Sequence, residues 1–409
     1  MKHHHQHLTS GRGFAYRLAI ASLAALAITP AYATDGYFDF GYGIKSKGIG
    51  GAGVAFPQDS IAPATNPAGA AFIADRLDFG LTYFRPDRSA SLGGTNYDGN
   101  GTDDFFIPEI GYKHSLTPNL DFALTVFGNG GMNTDYSAPL FDTPLPGVPS
   151  DAGIDLSQLF VAPTLAYKIN ADHAIGISPI FAYQRFKAHG LQEFGVANTG
   201  YDDSYGGGVR IGYTGKLTDW LTVGATYQSR IYASRFDQYS GLFAEHGDFD
   251  IPSNFALGFA LHPTKELTFA FDVERIFYSE VASVGNPLTP ANSVNLGQDN
   301  GPGFGWRDVT AIKTGIAYQA SDTLTLRIGY NYSTQPIRNG QTYFNVLAPG
   351  VVQQHATAGL TWQFRENWEL SAFYVHAFDQ TVNGDGPPFG VADLSMHQDS
   401  LGISLGWVF

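Results

Sequence analysis

The sequence predicts an all-β protein, a transmembrane antiparallel β-barrel of about fourteen strands. Three observations predict it. Apolar and polar residues alternate with period two in segment after segment, the spacing that sends successive side chains to opposite faces of a strand. Past residue 33 no uninterrupted apolar run is long enough for a membrane helix, which needs about 20 residues. Short turns also alternate along the chain with long Gly/Pro/Asp-rich stretches, as short periplasmic turns and long extracellular loops do in such barrels.

The first element is an export signal. Residues 1–33 carry Lys2, Arg12 and Arg17, then the apolar run Leu18–Ile28, then the small-x-small site Ala31-Tyr32-Ala33, the order of a cleavable secretory leader. His3, His4, His5 and His7 lie in this segment, so no metal site is expected from them. An exported chain without a membrane helix is either secreted and soluble or inserted as a barrel in the outer membrane of a Gram-negative bacterium. Composition narrows this further. Lys plus Arg number 23 against 37 Asp plus Glu, a net charge of −14 over 409 residues. An acidic chain repels phosphate backbones, so no nucleic-acid partner is expected. Zero cysteines exclude disulfide scaffolds, thiolate nucleophiles and Cys-ligated zinc together. Only 15% of residues are charged while 14% are aromatic, the reverse of a disordered chain.

The strands come next. Leu221, Val223, Ala225 and Tyr227 oppose Thr222, Gly224, Thr226 and Gln228; the end of the chain sets Leu401, Ile403, Leu405, Trp407 and Phe409 against Gly402, Ser404 and Gly406. Similar segments lie near 76–88, 103–115, 119–130, 156–169, 173–187, 204–216, 219–232, 253–262, 265–279, 307–320, 322–334, 353–364, 367–379 and 398–409. A soluble β-sandwich would also alternate, but with charges on its outer face. Here the polar face is Thr, Gly, Ser, Asn and Gln, and the apolar face ends in aromatics such as Trp220, Tyr227, Tyr318, Tyr330, Trp362 and Tyr374. Aromatic girdles at the two bilayer interfaces account for that.

Residues 34–75 do not alternate. Gly48-x-Gly50-Gly51-x-Gly53 looks like a phosphate cradle, but a nucleotide loop needs a strand before it and a helix after it; close backbone packing is the reading that remains. The mature start Asp35-Gly36-Tyr37-Phe38, the run Lys47-Gly48-Ile49-Gly50-Gly51-Ala52-Gly53, Asn66-Pro67-Ala68, Gly130-Gly131-Met132-Asn133-Thr134-Asp135-Tyr136, Asn345-Val346-Leu347-Ala348-Pro349-Gly350 and the ending Gly406-Trp407-Val408-Phe409 together resemble the FadL/TodX family of outer-membrane transporters of hydrophobic compounds. The resemblance implies a signal peptide at 1–33, a hatch at 34–75 folded into the lumen, and a barrel at 76–409. It implies passive capture of a hydrophobic molecule in a lumenal pocket and sideways release through an inward kink in the third strand, here Asn119 to Asn129.

By that resemblance Tyr37, Phe38, Phe40, Tyr42, Asn66, Pro67 and Ala68 are the hatch and substrate-binding residues. Phe122, Leu124, Gly128, Asn129, Gly130 and Gly131 surround the gate, where glycines permit a bend. Long-chain fatty acids are the first substrate class expected, with aromatic hydrocarbons or phenolic compounds next and a structural or adhesive barrel as the third reading. A fatty-acid pocket should place a cation at its outer end; Arg307 and Arg338 lie beside long loops. Outer-membrane lipid and lipopolysaccharide are the expected surroundings, a monomer the expected state, and no cofactor is expected. Nothing points to an enzyme. Asp272 and Glu274 form a carboxylate pair on one polar strand face, explained as lumenal charges met by Lys or Arg on adjacent strands. Asp98, Asn100, Thr102, Asp104 and Glu109 fall at a calcium-loop spacing, but Asp103 stands where that loop requires glycine. No nucleophile elbow is present.

Overall fold

A computed structural model describes residues 35–138, 140 and 151–409; the proposed leader lies outside them. Fourteen long strands form one closed antiparallel barrel, each paired with its sequence neighbours. They are β1 Arg76–Leu92, β2 Phe105–Thr117, β3 Leu120–Tyr136, β4 Ala152–Lys168, β5 His173–His189, β6 Asp202–Thr218 and β7 Leu221–Gln228. The second half comprises β8 Asn254–Leu261, β9 Leu267–Ile276, β10 Val309–Ser321, β11 Leu324–Ser333, β12 Gln354–Arg365, β13 Trp368–Val382 and β14 Ala392–Val408. The seam between first and last strands runs from Arg76↔Val408 to Leu92↔Ala392, which leaves no open sheet edge there. Two short ribbons, Thr95–Asp98 and Tyr232–Ala233, extend β1 and β6 on the loop side.

Polarity is inverted relative to a water-soluble sheet. On β14, Ile403 is 53% exposed while Ser404 is 8% exposed. Apolar side chains therefore face lipid, and Thr, Ser, Gln and ion pairs fill the inside, the only sign of alternation that a barrel in hydrocarbon allows. Trp220, Trp362 and Trp407 stand outward near the short turns, and Tyr183, Tyr205 and Tyr332 stand outward near the long loops.

Residues 35–75 fill the lumen with the short helix Ile44–Lys47 and the 3-10 turns Ala62–Ala64 and Pro67–Phe72. The glycines explain how so much backbone fits. The cross-strand pairs Gly176/Gly212, Gly224/Gly258 and Gly315/Gly329 face inward, and a methyl group at any of them would overlap Pro67 or Asn66, Val54, or Ile49 and Gly50. Wall and hatch meet backbone to backbone. The glycine run at 48–53 does cradle an anion, but one supplied by the wall: Asp272 accepts the amides of Gly53 at 2.6 Å and Val54 at 2.9 Å. The cation expected beside Asp272 instead serves Glu274, through Lys313 at 2.6 Å.

Several strands run further than the alternation suggests, most of all β3 to Tyr136 and β14 from Ala392. In β3 the cause is physical. From Leu120 to Gly128 burial alternates, whereas from Asn129 to Thr134 every residue is buried. The strand has moved into the lumen, and its period-two signal disappears with it.

Candidate functional site

The kink in β3 has a defined origin. Asn129 is an extra residue, since Gly128 pairs Leu159 and Gly130 pairs Gln158; such a bulge bends its strand. The ladder to β2 ends at Ile110↔Val126, although β2 continues to Phe105 on its other edge. Above Val126 a seam therefore separates β2 from β3. The hatch arm fills its lower part: Asp39 donates to the Asn129 carbonyl at 3.0 Å, and Gly131 donates to the Tyr37 carbonyl at 3.0 Å. Gly130 is required there, because a β-carbon would strike the Tyr37 backbone. Gly128, Asn129, Gly130 and Gly131 thus sit at the kink. Phe122 and Leu124 do not: they lie below it, opposite His114 and Tyr112 in the intact ladder.

The arm is held by buried polar contacts. The Tyr278 hydroxyl accepts the amides of Tyr37 and Phe38, each at 3.1 Å, and donates to the Asp35 carbonyl at 2.6 Å. Lys313 bridges Asp35 at 3.3 Å and Glu274. Of the predicted hatch residues, Tyr37 and Phe38 pack against Tyr278, and Tyr37 also against Trp306. Phe40 stacks on His355 at 5.3 Å. Tyr42 lies 4.7 Å from Phe127, donates to Asn129 at 2.8 Å and borders a polar cavity with Arg210 and Lys313. Asn66 caps the turn Pro67–Phe72 through the Ala68 amide and donates to the Val54 and Tyr213 carbonyls. Asn66, Pro67 and Ala68 lock hatch to wall and border neither apolar cavity below the loops.

Those two cavities lie one above the other. The upper one is lined by Ile154, Phe186, Leu191, Phe194, Leu242, Phe243, Ser283, Leu296, Pro302, Gly303, Phe304, Phe344 and Leu347. No charged side chain is among them. Ser283, the one hydroxyl, donates to the Asp248 carbonyl. The lower cavity is lined by Gly36, Pro86, Arg88, Gly131, Met132, Asn133, Trp306, Ala348, Pro349, Gly350 and Met396. Phe304 above and Trp306 below form the partition, their rings 6.2 Å apart, with Trp306 pinned by its indole N–H to Asn345 at 2.6 Å. The lower cavity thus touches the arm at Gly36, the kink at Gly131 to Asn133, and β1. Arg307 and Arg338 are exposed and line neither cavity.

Sequence reading missed Phe186, Phe243, Phe304, Trp306, Tyr278 and Arg88. Most of the aromatics among them sit in the long loops, where no periodicity marks them. Their signal is the presence of large apolar rings in Gly/Pro-rich stretches that a lipid girdle does not explain. The calcium spacing dissolves into separate tasks: Asn100 accepts the Arg88 amide at 2.8 Å, Asp104 accepts the Tyr83 hydroxyl at 2.5 Å, and Glu109 accepts the Gly43 and Ile44 amides.

A closed barrel with lipid-facing strands, a lumenal plug and apolar cavities between loops and plug defines a Gram-negative outer-membrane protein that transports hydrophobic compounds. The chain belongs to the outer membrane protein transport protein family (OMPP1/FadL/TodX), whose model matches residues 41–387. Its fold is that of the toluene transporter TodX of Pseudomonas putida, with 19% identity, 90% of this chain and 99% of that one covered, and a TM-score of 0.69. A Pseudomonas aeruginosa FadL homologue gives 16%, 91% and 100%, and 0.67. The Ralstonia pickettii toluene transporter TbuX gives 18%, 90% and 99%, and 0.66. A protein of Chlorobium limicola, described as lying in a phosphoenolpyruvate carboxykinase gene 5' region, is 37% identical over 79 residues, 19% of this chain and 39% of that protein. The match therefore spans about two fifths of that relative's length.

Proposed function

We propose that this protein takes up uncharged hydrophobic molecules, aromatic hydrocarbons before long-chain fatty acids, by passive capture in the upper cavity, descent past Phe304 and Trp306, and release into the membrane through the seam beside β3. The observation that carries this reading is the lining of the upper cavity: aromatic and aliphatic side chains, one engaged hydroxyl and no charge. Burying a seven-carbon hydrocarbon there gains about 6 kcal/mol at about 0.8 kcal/mol per carbon. A carboxylate finds no cation in the upper cavity and loses several kcal/mol there, so a fatty acid would have to leave its head at the mouth. Sideways release suits either substrate, because the molecule passes from one apolar medium to another without being wetted. The toluene transporters that share the fold lend the aromatic reading weight. The leader at 1–33, surrounding lipid and lipopolysaccharide, and a monomeric barrel complete the proposal.

Uptake of labelled toluene and labelled oleate, in cells lacking their own transporter, tests it. Toluene uptake above background with oleate at background is expected. Ser283→Asp, which puts a carboxylate into the upper cavity, is expected to cut toluene uptake at least tenfold, the weight of about 1.4 kcal/mol. Oleate uptake alone would reassign the substrate to fatty acids. Neither, in a folded outer-membrane protein, would leave a structural barrel.

A further inference from the structure

We infer that Arg88 is the bar that holds the seam beside β3 shut, a positioning residue for release; this rests on the sideways-exit reading above. Above Val126 the free edge of β3 is capped at every second residue, as a strand edge demands. Asn129 and Gly131 are taken by the hatch arm, and Asp135 exchanges bonds with Gly99 and Gly101 at 3.1 and 2.9 Å. Between these two patches stands Asn133. Its backbone carbonyl accepts one Arg88 Nη at 2.6 Å and its side-chain Oδ1 accepts the same nitrogen at 3.0 Å, while the other Nη donates to the Thr102 carbonyl at 2.6 Å.

Arg88 projects inward from β1 and is 2% exposed. One guanidinium therefore ties together β1, the turn entering β2, and β3, the three elements that must part for a molecule to leave. It also lines the lower cavity, so a ligand arriving there meets the bar before it meets lipid. The named acceptors are carbonyls of backbone and amide groups. Charge-assisted bonds to such acceptors hold the strands in place yet exchange for a ligand's oxygen or for water. A planar fork spreads its donors over separate nitrogens and spans two backbones at once; a lysine ammonium gathers its three donors on one nitrogen and spans them less well.

The chain has no cysteine, so the seam can be locked cleanly. Thr102 and Asp135 touch across it at 2.9 Å, and the double variant T102C/D135C places a disulfide there. The readout is the rate at which the neutral fluorescent probe N-phenylnaphthylamine enters proteoliposome bilayers through the folded barrel. R88M is expected to raise that rate about tenfold, the weight of one lost charge-assisted bond, with R88K between it and the unaltered protein. Oxidising T102C/D135C in the R88M background is expected to abolish the gain, and reduction to restore it. A general packing defect would leak whether or not the seam is locked. An unchanged rate in folded R88M, or a leak that survives the disulfide, overturns the role of Arg88. If R88M does not assemble, R88K with and without the lock decides the same question. Undiminished uptake through the locked but otherwise unaltered protein would instead sink the sideways exit itself.

Discussion

Lys313→Met is expected to release the hatch arm from the lumen wall. Lys313 is the cation between Asp35 on the arm and Glu274 on β9, with side chains 7%, 0% and 17% exposed respectively. A buried pair that loses one partner costs about 3–5 kcal/mol, because the remaining charge is left in a poor solvent for it. Here two carboxylates face each other after the change. The backbone ladder around Lys313 does not need the ion pair, so the barrel should assemble, while residues 35–42, left with the Tyr278 hydroxyl and the edge of β3 as anchors, should open far more often.

Asp35 lies on the arm and not on a membrane strand, and burial raises its carboxyl to about 6 even though Lys313 pulls the other way. Without the lysine it rises further. A carboxyl whose folded value is raised destabilises the docked arm only where it is ionised. The defect should therefore be largest at high pH and ease as pH falls toward the unaltered protein's value of about 6. Labelling of a cysteine placed at Phe40, whose side chain is 3% exposed on the docked arm, reads the outcome. Fast, pH-dependent labelling is expected in K313M, and slow labelling once D35N and E274Q are added. Equal protection in K313M and in the unaltered protein at pH 8 would show that the ion pair does not hold the arm.

The barrel was legible because lipid and lumen impose opposite demands on successive residues, as Ile403 and Ser404 illustrate. The kink was half legible. Gly128, Gly130 and Gly131 marked a bend, but Phe122 and Leu124 obey the alternation because they lie where the ladder is whole. The hatch announced itself through glycine without saying what its glycines touch. Asp272 on a strand 219 residues away provides the anion for the Gly53 amide, and no local pattern encodes a partner at that distance. The cavities were the least readable feature. Phe186 belongs to a strand, Phe243 and Phe304 to loops, and Phe344 to a four-residue helix; they converge only once the barrel closes.

That closure also fixes what the wall will tolerate. Gly315→Val is expected to destabilise the protein, against the ordinary preference for valine in a strand. A β-carbon at Gly315 would lie 2.5 Å from the Ile49 carbonyl oxygen and 2.6 Å from its Cβ. The obstacle is hatch backbone, which cannot rotate aside, and overpacking of this kind costs about 1–3 kcal/mol or more. Gly207 on β6 provides the control: its nearest foreign atom would be the Ile180 carbonyl oxygen at 3.9 Å. Gly207→Val adds a branched side chain to an exposed strand face and should be neutral or stabilising. The midpoint of heat-induced mobility change on electrophoresis measures both. Single-channel conductance shows whether the wall yields or the hatch does. A lowered midpoint with unchanged conductance means the hatch stays and strains the wall; raised conductance means it has been pushed out. If G315V matches G207V on both measurements, hatch and wall are not in the backbone contact described above, and the glycines serve some need of the strands alone.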